Sequence, residues 1–320
     1  MATPFRLGLQ LNTTQRAFRW SETRELALAT EASGFDSLWT EDHLFYRSNS
    51  DALIGPWDAF TTLAALASMT KRVRLGTLVT SLALRHPLQL ARMAASLDEI
   101  SDGRFVLGVG AGHASAEHAA VGATVDRRIG RFEEAFAALL ALFDTGHAEL
   151  HGKHLDFEGW LLPGPQVRRR PELIVGSLAP RLLRAALPEV DGWNWDGFHN
   201  DVEDFKADWA KVRAVAEEIG RDPETISRSA HLVVRTDDAE GLPIDPISFP
   251  IIQGGVDEIA DALRAFAVAG VDEFTLILDP ARPAAIEILG RAAERAMAGI
   301  ARTTRPDDGL FSTDAAWNLE

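Results

Sequence analysis

Glu41-Asp42-His43 is the group of residues with the most direct capacity for chemistry in this chain. An imidazole beside carboxylates can give or take a proton near neutral pH. The three follow a short apolar run, Asp36–Thr40, so they stand just past the end of a strand. A capping or salt-bridged loop role competes with a catalytic one, and the strand-end position favours catalysis. His113 is a second candidate. It closes Gly108-Val109-Gly110-Ala111-Gly112, which follows the apolar strand Phe105–Val109. That run is not a dinucleotide fingerprint, because its spacing is GxGxG and no helix is expected directly after it. Its glycines let backbone approach a flat ligand, or they complete a tight strand exit. A third candidate is Gly176-Ser177-Leu178-Ala179-Pro180, between a short strand and a helix opened by proline. Backbone N–H groups at a helix start can hold an anion such as phosphate, to which Ser177 adds a hydroxyl; a plain turn capped by Ser177 is the alternative. His147, His151 and His154 have a spacing compatible with metal, but no carboxylate motif fixes them, and no metal site is assigned. Trp39, Trp57, Trp193 and Trp195 read as core or pocket wall.

These candidates share a location, and the elements that position them alternate. The expected strands are Phe5–Leu11, Asp36–Thr40, Val73–Val79, Phe105–Val109, Leu173–Gly176, Gly192–Asn194, Ala230–Val234 and Phe274–Leu278. Helices are expected between them: from Ser21 as cap to Ala32, from Pro56, from Pro87, over Ile129–Phe143, from Pro180, over Phe205–Ile219, over Val256–Ala269, and over roughly 284–300. Eight strand–helix units imply parallel strands with right-handed crossovers, and eight point to a closed (β/α)₈ barrel. Asp42–Gly55, after strand two, and Thr236–Gly255, after strand seven, are insertions on the face where such barrels carry chemistry. His147–Arg170 is an excursion after helix four, with a hairpin expected over Leu150–Phe157. Residues 1–301 read as one barrel domain and 302–320 as a polar tail.

Composition excludes several classes. The 320 residues are 46% hydrophobic and 25% charged, ordinary for a globular chain. With no cysteine there is no disulfide, thiolate nucleophile or thiolate-held metal. A net charge of −15 argues against nucleic acid or an anionic membrane as partner. No apolar run approaches the ~20 residues of a membrane helix, and MATPFRLGLQLN lacks the layout of a signal peptide, so a cytoplasmic protein is expected.

Laid out in order, the motifs resemble the bacterial luciferase-like family of flavin- and deazaflavin-dependent oxidoreductases, over roughly residues 5–300. They are Ala32-Ser33-Gly34-Phe35-Asp36-Ser37-Leu38-Trp39, Glu41-Asp42-His43, Arg74-Leu75-Gly76-Thr77 with Val79, Arg85-His86-Pro87, Leu97-Asp98, Ser101-Asp102-Gly103-Arg104-Phe105 and Leu107–Gly112. Arg131-Phe132-Glu133-Glu134, Gly152 with Leu155, Asp191-Gly192-Trp193-Asn194 and Gly270-Val271-Asp272-Glu273-Phe274 complete the set.

The resemblance implies a (β/α)₈ barrel with an isoalloxazine-like ring in its mouth, held as the deazaflavin F420 or as FMN, and it is closer to the F420 branch. Asp42 and His43 match that branch's acid/base pair. Leu78-Val79, after Thr77, matches a non-prolyl cis peptide that backs the ring. Gly110, Ala111 and Gly112 line it, and Gly176, Ser177, Leu178 and Ala179 match the cofactor phosphate loop. A homodimer, a small-molecule substrate and a separate enzyme supplying reduced cofactor are also implied. Three positions depart from the branch: a tryptophan four residues after the histidine is Arg47 here, a glutamate after the glycine-rich loop is His113, and a glutamate after strand one appears as Asn12-Thr13-Thr14. The expected activity is hydride transfer between F420 and a small organic substrate, with His43 as proton partner, Asp42 orienting or tuning it and His113 contacting substrate. The alternatives are an FMN-dependent monooxygenase, a non-catalytic flavin-binding protein, and a glycosidase using two of Asp42, Asp196 and Asp279.

Overall fold

In a computed structural model, residues 4–11, 18–47, 53–196, 201–239 and 251–300 are described. Eight strands form the barrel: β1 (Arg6–Gln10), β2 (Ser37–Thr40), β3 (Arg74–Thr77), β4 (Phe105–Gly110), β5 (Glu172–Val175), β6 (Gly192–Asp196), β7 (Ser227–Thr236) and β8 (Glu273–Leu278). Each pairs in parallel with the next, and β8 pairs with β1, so the sheet closes. The outer helices are α1 (Trp20–Ala32), α2 (Ala59–Met69), α3 (Pro87–Ile100), α4 (Arg128–Thr145), α5 (Pro180–Ala186), α6 (Val202–Glu218), α7 (Val256–Val268) and α8 (Pro283–Ala298). This is the (β/α)₈ barrel that the alternation implies.

Helix starts account for most differences from the sequence reading. Ser21 lies inside α1; Arg19 is the cap residue, and its N–H donates to Glu22. Pro56 does not open α2, because Asp58 caps it by accepting from the Thr61 N–H at 2.8 Å. Pro87 does open α3, whose Leu90, Ala91, Ala94 and Leu97 recur at helical spacing and are buried. That spacing packs one face of α3 on the barrel and leaves the other to solvent. Side chains of this kind from all eight helices form the main core, between helices and sheet.

The barrel interior is different. Arg6, Arg74, Glu172 and Glu273, at the starts of four strands, form an ion network across its floor. Glu273 accepts from Arg6 at 3.0 Å, from Arg74 at 2.7 Å and from Ser37 at 2.5 Å, and Arg74 reaches Glu172 at 2.6 Å. Trp39 lies above this floor, its indole N–H donating to Ser37 at 2.8 Å. Space for the indole comes from Gly76, where an added Cβ would lie 2.2 Å from the ring.

The expected hairpin is present, as His147–His151 against Asp156–Trp160. In the first insertion Tyr46–Arg47 pairs with Leu53–Ile54. In the second, Ile252–Gly254 adds to the edge of β7. Asn12-Thr13-Thr14, most of the second insertion, and the tail from 302 lie outside the described residues, as does the Arg47 side chain.

Candidate active site

The mouth of the barrel is built first by an irregularity in β3. Gly76 pairs with Val106 and Thr80 pairs with Val109, so three residues on one strand face two on the other. Such a bulge bends the strand and re-aims side chains. The extra residue falls at Leu78-Val79, whose peptide bond is cis. Leu78 packs with Trp39, Val106 and Ile174 inside the barrel. Val79 turns toward the ends of β4 and β5, where side chains at Gly108, Gly110 and Gly176 would meet its methyl groups at 2.8–3.1 Å. The glycine-rich run therefore makes room for the Thr77 carbonyl at Gly108 and for Val79 at Gly110, not for a ligand lying directly on either glycine. Gly112 faces Ser81 and His118 instead.

His43 and His113 come together at the rim, ring centroids 5.5 Å apart and edge to face. His113 is exposed and the His43 side chain is 24% exposed. The carboxylate on His43 is not Asp42. Asp42 accepts a two-pronged contact from Arg85, with Nε at 2.8 Å, and Arg85 also reaches Asp58 at 3.5 Å. Glu117 is the partner instead, its Oε2 lying 2.9 Å from His43 Nδ1. Its other oxygen accepts from the Leu44 N–H at 2.5 Å. Glu117 comes from Ser115–Ala120, a one-and-a-half-turn helix soon after the glycine-rich run, where the sequence reading expects none. At 2% exposed, it is more buried than either histidine.

These contacts set the protonation of the site. Burial by itself lowers the proton affinity of His43. The Glu117 hydrogen bond and charge, with the charges of Glu41 and Asp42, overcome this and raise its pKa. Glu117 is held below the usual carboxylate range, since its contacts to His43 and to the Leu44 and Phe45 N–H groups outweigh its burial. Burial pushes Asp42 up, against the pull of Arg85.

Other expected residues fall into four groups. Ser177 lies in the loop between β5 and α5, and its hydroxyl oxygen accepts from the Ala179 N–H at 3.1 Å, which closes the turn with the O–H left able to donate; Ala179, not Ser177, is the cap residue of α5. Asp279 is bound by Arg235, Asp196 stands 3.7 Å from His231, and Asp42 is bound by Arg85. His147 and His151 each contact carboxylates of their own hairpin, and no metal-holding group of three occurs among the described residues. Trp39, Trp193 and Trp195 are buried, whereas Trp57 is 55% exposed and donates to the Phe18 carbonyl.

The mouth fits a planar, polar group. Gln10 continues the inward alternation of Arg6 and Gly8, and its Oε1 is buried without a hydrogen-bond partner among the described residues. A buried acceptor left so costs about 1–3 kcal/mol, which a donor on a bound group would recover. With Val79 as apolar wall, the Gln10 oxygen as acceptor and His43 at the rim, these residues suit an isoalloxazine-like ring.

A family model described as luciferase-like monooxygenase matches residues 1–242. A phthiodiolone/phenolphthiodiolone dimycocerosates ketoreductase from Mycobacterium sp. (strain JLS) is 30% identical over 274 residues, covering 78% of this chain and 68% of that one. This chain spans 68% of that ketoreductase and 58% of a 5,10-methylenetetrahydromethanopterin reductase from Methanolobus tindarius, to which it is 28% identical over 64% of its own length. Among solved structures, an F420-dependent secondary alcohol dehydrogenase in complex with an F420-acetone adduct superposes with a TM-score of 0.78 at 20% identity, over 92% of this chain and 99% of that one. A monooxygenase from Streptomyces bottropensis gives 0.74 at 22% identity, over 92% and 98%.

Proposed function

The chain belongs to the luciferase-like monooxygenase family and is an oxidoreductase of that family, and on this premise we propose that it transfers hydride between the deazaflavin F420 and a small organic substrate. The observation that carries this reading is the rim pair, a half-buried histidine hydrogen-bonded to a buried carboxylate at the strand-end position of the mouth. A hydride carrier needs the protein to supply a proton partner, and the Glu117 contact that raises the His43 pKa supports His43 in that part. The bound deazaflavin would supply the hydride.

The chain supplies the rest. Leu78 and Val79, with Thr77 before them, would back the ring. Gln10 would meet a ring donor, and Gly110, Ala111 and Gly112 would border it. The backbone of Gly176, Ser177, Leu178 and Ala179 would take the phosphate, with the Ser177 O–H as a further donor. Asp42, bound to Arg85, holds the end of β2 in place and adds charge beside His43. His113 would contact substrate. The reading includes a homodimer in the cytoplasm, one catalytic domain over 1–301 with the 302–320 tail outside it, and reduced cofactor made by another enzyme.

The family description and the Streptomyces neighbour favour a second reading, an FMN-dependent monooxygenase. Titration of the purified protein with F420 and with FMN, read by ring absorbance and fluorescence, separates the two. F420 is expected to bind more tightly. FMN binding at least as tightly overturns the F420 assignment.

A further inference from the structure

The ionic plug does not fill the whole floor of the barrel. Beside it, at the starts of β3, β4 and β5, lies a cavity of about 200 Å³ lined by Arg72, Arg74, Arg104 and Arg168, with Asp102 and Glu172 as its carboxylates. The four guanidinium groups are not equally matched. Arg74 is held between Glu273 and Glu172, and Arg168 takes both oxygens of Asp98, at 3.0 and 2.7 Å. Arg72 donates only to the carbonyls of Phe35 and Glu31, at 2.8 and 2.9 Å. Arg104 likewise spends its N–H groups on neutral oxygens: the carbonyls of Ser101, Val73, Ala67 and Thr70, and the Thr70 hydroxyl. The Glu31 carboxylate, whose charge acts on both, is itself taken up by the backbone N–H groups of Lys71, Arg72 and Val73. Burial lowers the Arg104 pKa, and the charges of Glu31 and Asp102 do not make up for it. Two cations therefore line the cavity without an ion pair among the described residues.

Donors are left over as well. The bonds above, with the Arg168 contact to the Phe105 carbonyl at 2.6 Å, leave Nε of Arg72, Nε of Arg74 and Nη1 of Arg168 without a hydrogen-bond partner among the described residues. We propose that this floor cavity is a binding site for a compact, doubly charged oxyanion of the phosphate type. Guanidinium groups suit such a ligand because their planar N–H edges match its oxygens and their charge opposes its own. A dianion here meets the leftover donors and the two unmatched cations together. Size sets the class. The cavity falls short of the ~300 Å³ at which pockets for drug-sized ligands begin, so it excludes a nucleotide or a deazaflavin. Of the two lining carboxylates, Glu172 is matched by Arg74. Asp102 has no ion pair among the described residues and works against the ligand. The site lies at the opposite end of the strands from His43 and from the Ser177 loop, so it is separate from both the chemistry and the expected cofactor phosphate.

The test is a calorimetric titration of the full chain, without cofactor, with inorganic phosphate at about pH 8, where phosphate carries two charges. Chloride at matched ionic strength is the control. Phosphate is expected to bind and chloride is not, in the parent and equally in Ser177→Asp, whose added charge blocks the loop at the mouth. Arg72→Gln is expected to weaken binding about tenfold, the loss of one charge-assisted bond. Asp102→Asn is expected to tighten it about threefold by removing one screened like charge. Asparagine tolerates the left-handed backbone found at Asp102, φ 56°, so this variant keeps the fold. Phosphate that binds no better than chloride overturns the proposal. Binding present in the parent and absent from Ser177→Asp also overturns it, because the phosphate would then sit at the mouth. So does an unchanged affinity in Asp102→Asn, a result that requires no arginine to be removed.

Discussion

The floor and the mouth of this barrel are both rich in charge, and they treat it in opposite ways. On the floor, Glu273 is closed in by Arg6, Arg74 and Ser37, and burial is overcome so fully that its pKa falls to about 2. Glu273 and Ser37 are buried, Arg6, Arg74 and Glu172 are partly so, and Trp39 bonds to Ser37 above them. At the rim the His43 side chain is 24% exposed and bound to Glu117, and at the end of β1 the Gln10 amide oxygen has no hydrogen-bond partner among the described residues. The strands that start in a locked ionic plug end in groups with capacity to spare. Parallel barrels divide stability and chemistry in this way, and the division here is visible in which polar atoms are used up.

Breaking the floor has the largest expected effect. Glu273→Gln leaves the partly buried Arg6 and Arg74 guanidinium groups short of a counter-charge; breaking a buried pair costs about 3–5 kcal/mol, and less where the remaining charge reaches water. Urea denaturation should show that loss; a change under about 1 kcal/mol would mean that water reaches the floor and the contrast is false.

The second prediction sets the two ends against each other by pH. A depressed carboxylate contributes stability that is complete above its ordinary value of 4.5, and for Glu273 it is lost as pH falls through about 2. A raised histidine contributes stability that is complete below its ordinary value of 6.5 and is lost as pH rises through its folded value. Acid should therefore erase the stability difference between the parent and Glu273→Gln, and alkali that between the parent and His43→Gln. Denaturation midpoints across pH would reveal this, and the reverse assignment would sink the comparison.

The smallest effect is expected in the loop between β5 and α5. Ser177→Asp places a negative charge where a cofactor phosphate would lie, so F420 affinity should fall about tenfold, or ~1.4 kcal/mol, with the melting temperature unchanged. Unchanged affinity would put the phosphate elsewhere.

The difference between floor and mouth also explains what was legible in the sequence. The eight alternating units are periodic and local, so Leu90, Ala91, Ala94 and Leu97, or Ile259, Leu263 and Phe266, declare their helices directly. His43 and His113 are legible because they follow apolar strands. The ionic floor is not, because Arg6 and Glu273 stand 267 positions apart and each reads alone as a surface charge. Glu117 is hidden for a similar reason: its helix has six residues and no side-chain cap, too little for a periodic signal. Asp42 beside His43 in sequence suggests a pair, yet neighbours at a strand end diverge, and Arg85 and Glu117 take one each. Arg85 is visible in the sequence only as part of Arg85-His86-Pro87, without a partner.

The central claim is that His43 moves the proton that accompanies the hydride. It is tested most directly by pairing two measurements on His43→Gln: the F420 dissociation constant, and the single-turnover rate of reduced F420 consumption with simple ketones at saturating cofactor. A general acid contributes typically ~10²–10⁴-fold to rate. The expected result is a dissociation constant within about twofold of the parent, with a rate lower by about that ~10²–10⁴ factor. A variant that loses affinity but turns over at the parent's rate once saturated would contradict the claim. It would make His43 a wall of the pocket and pass the proton to His113.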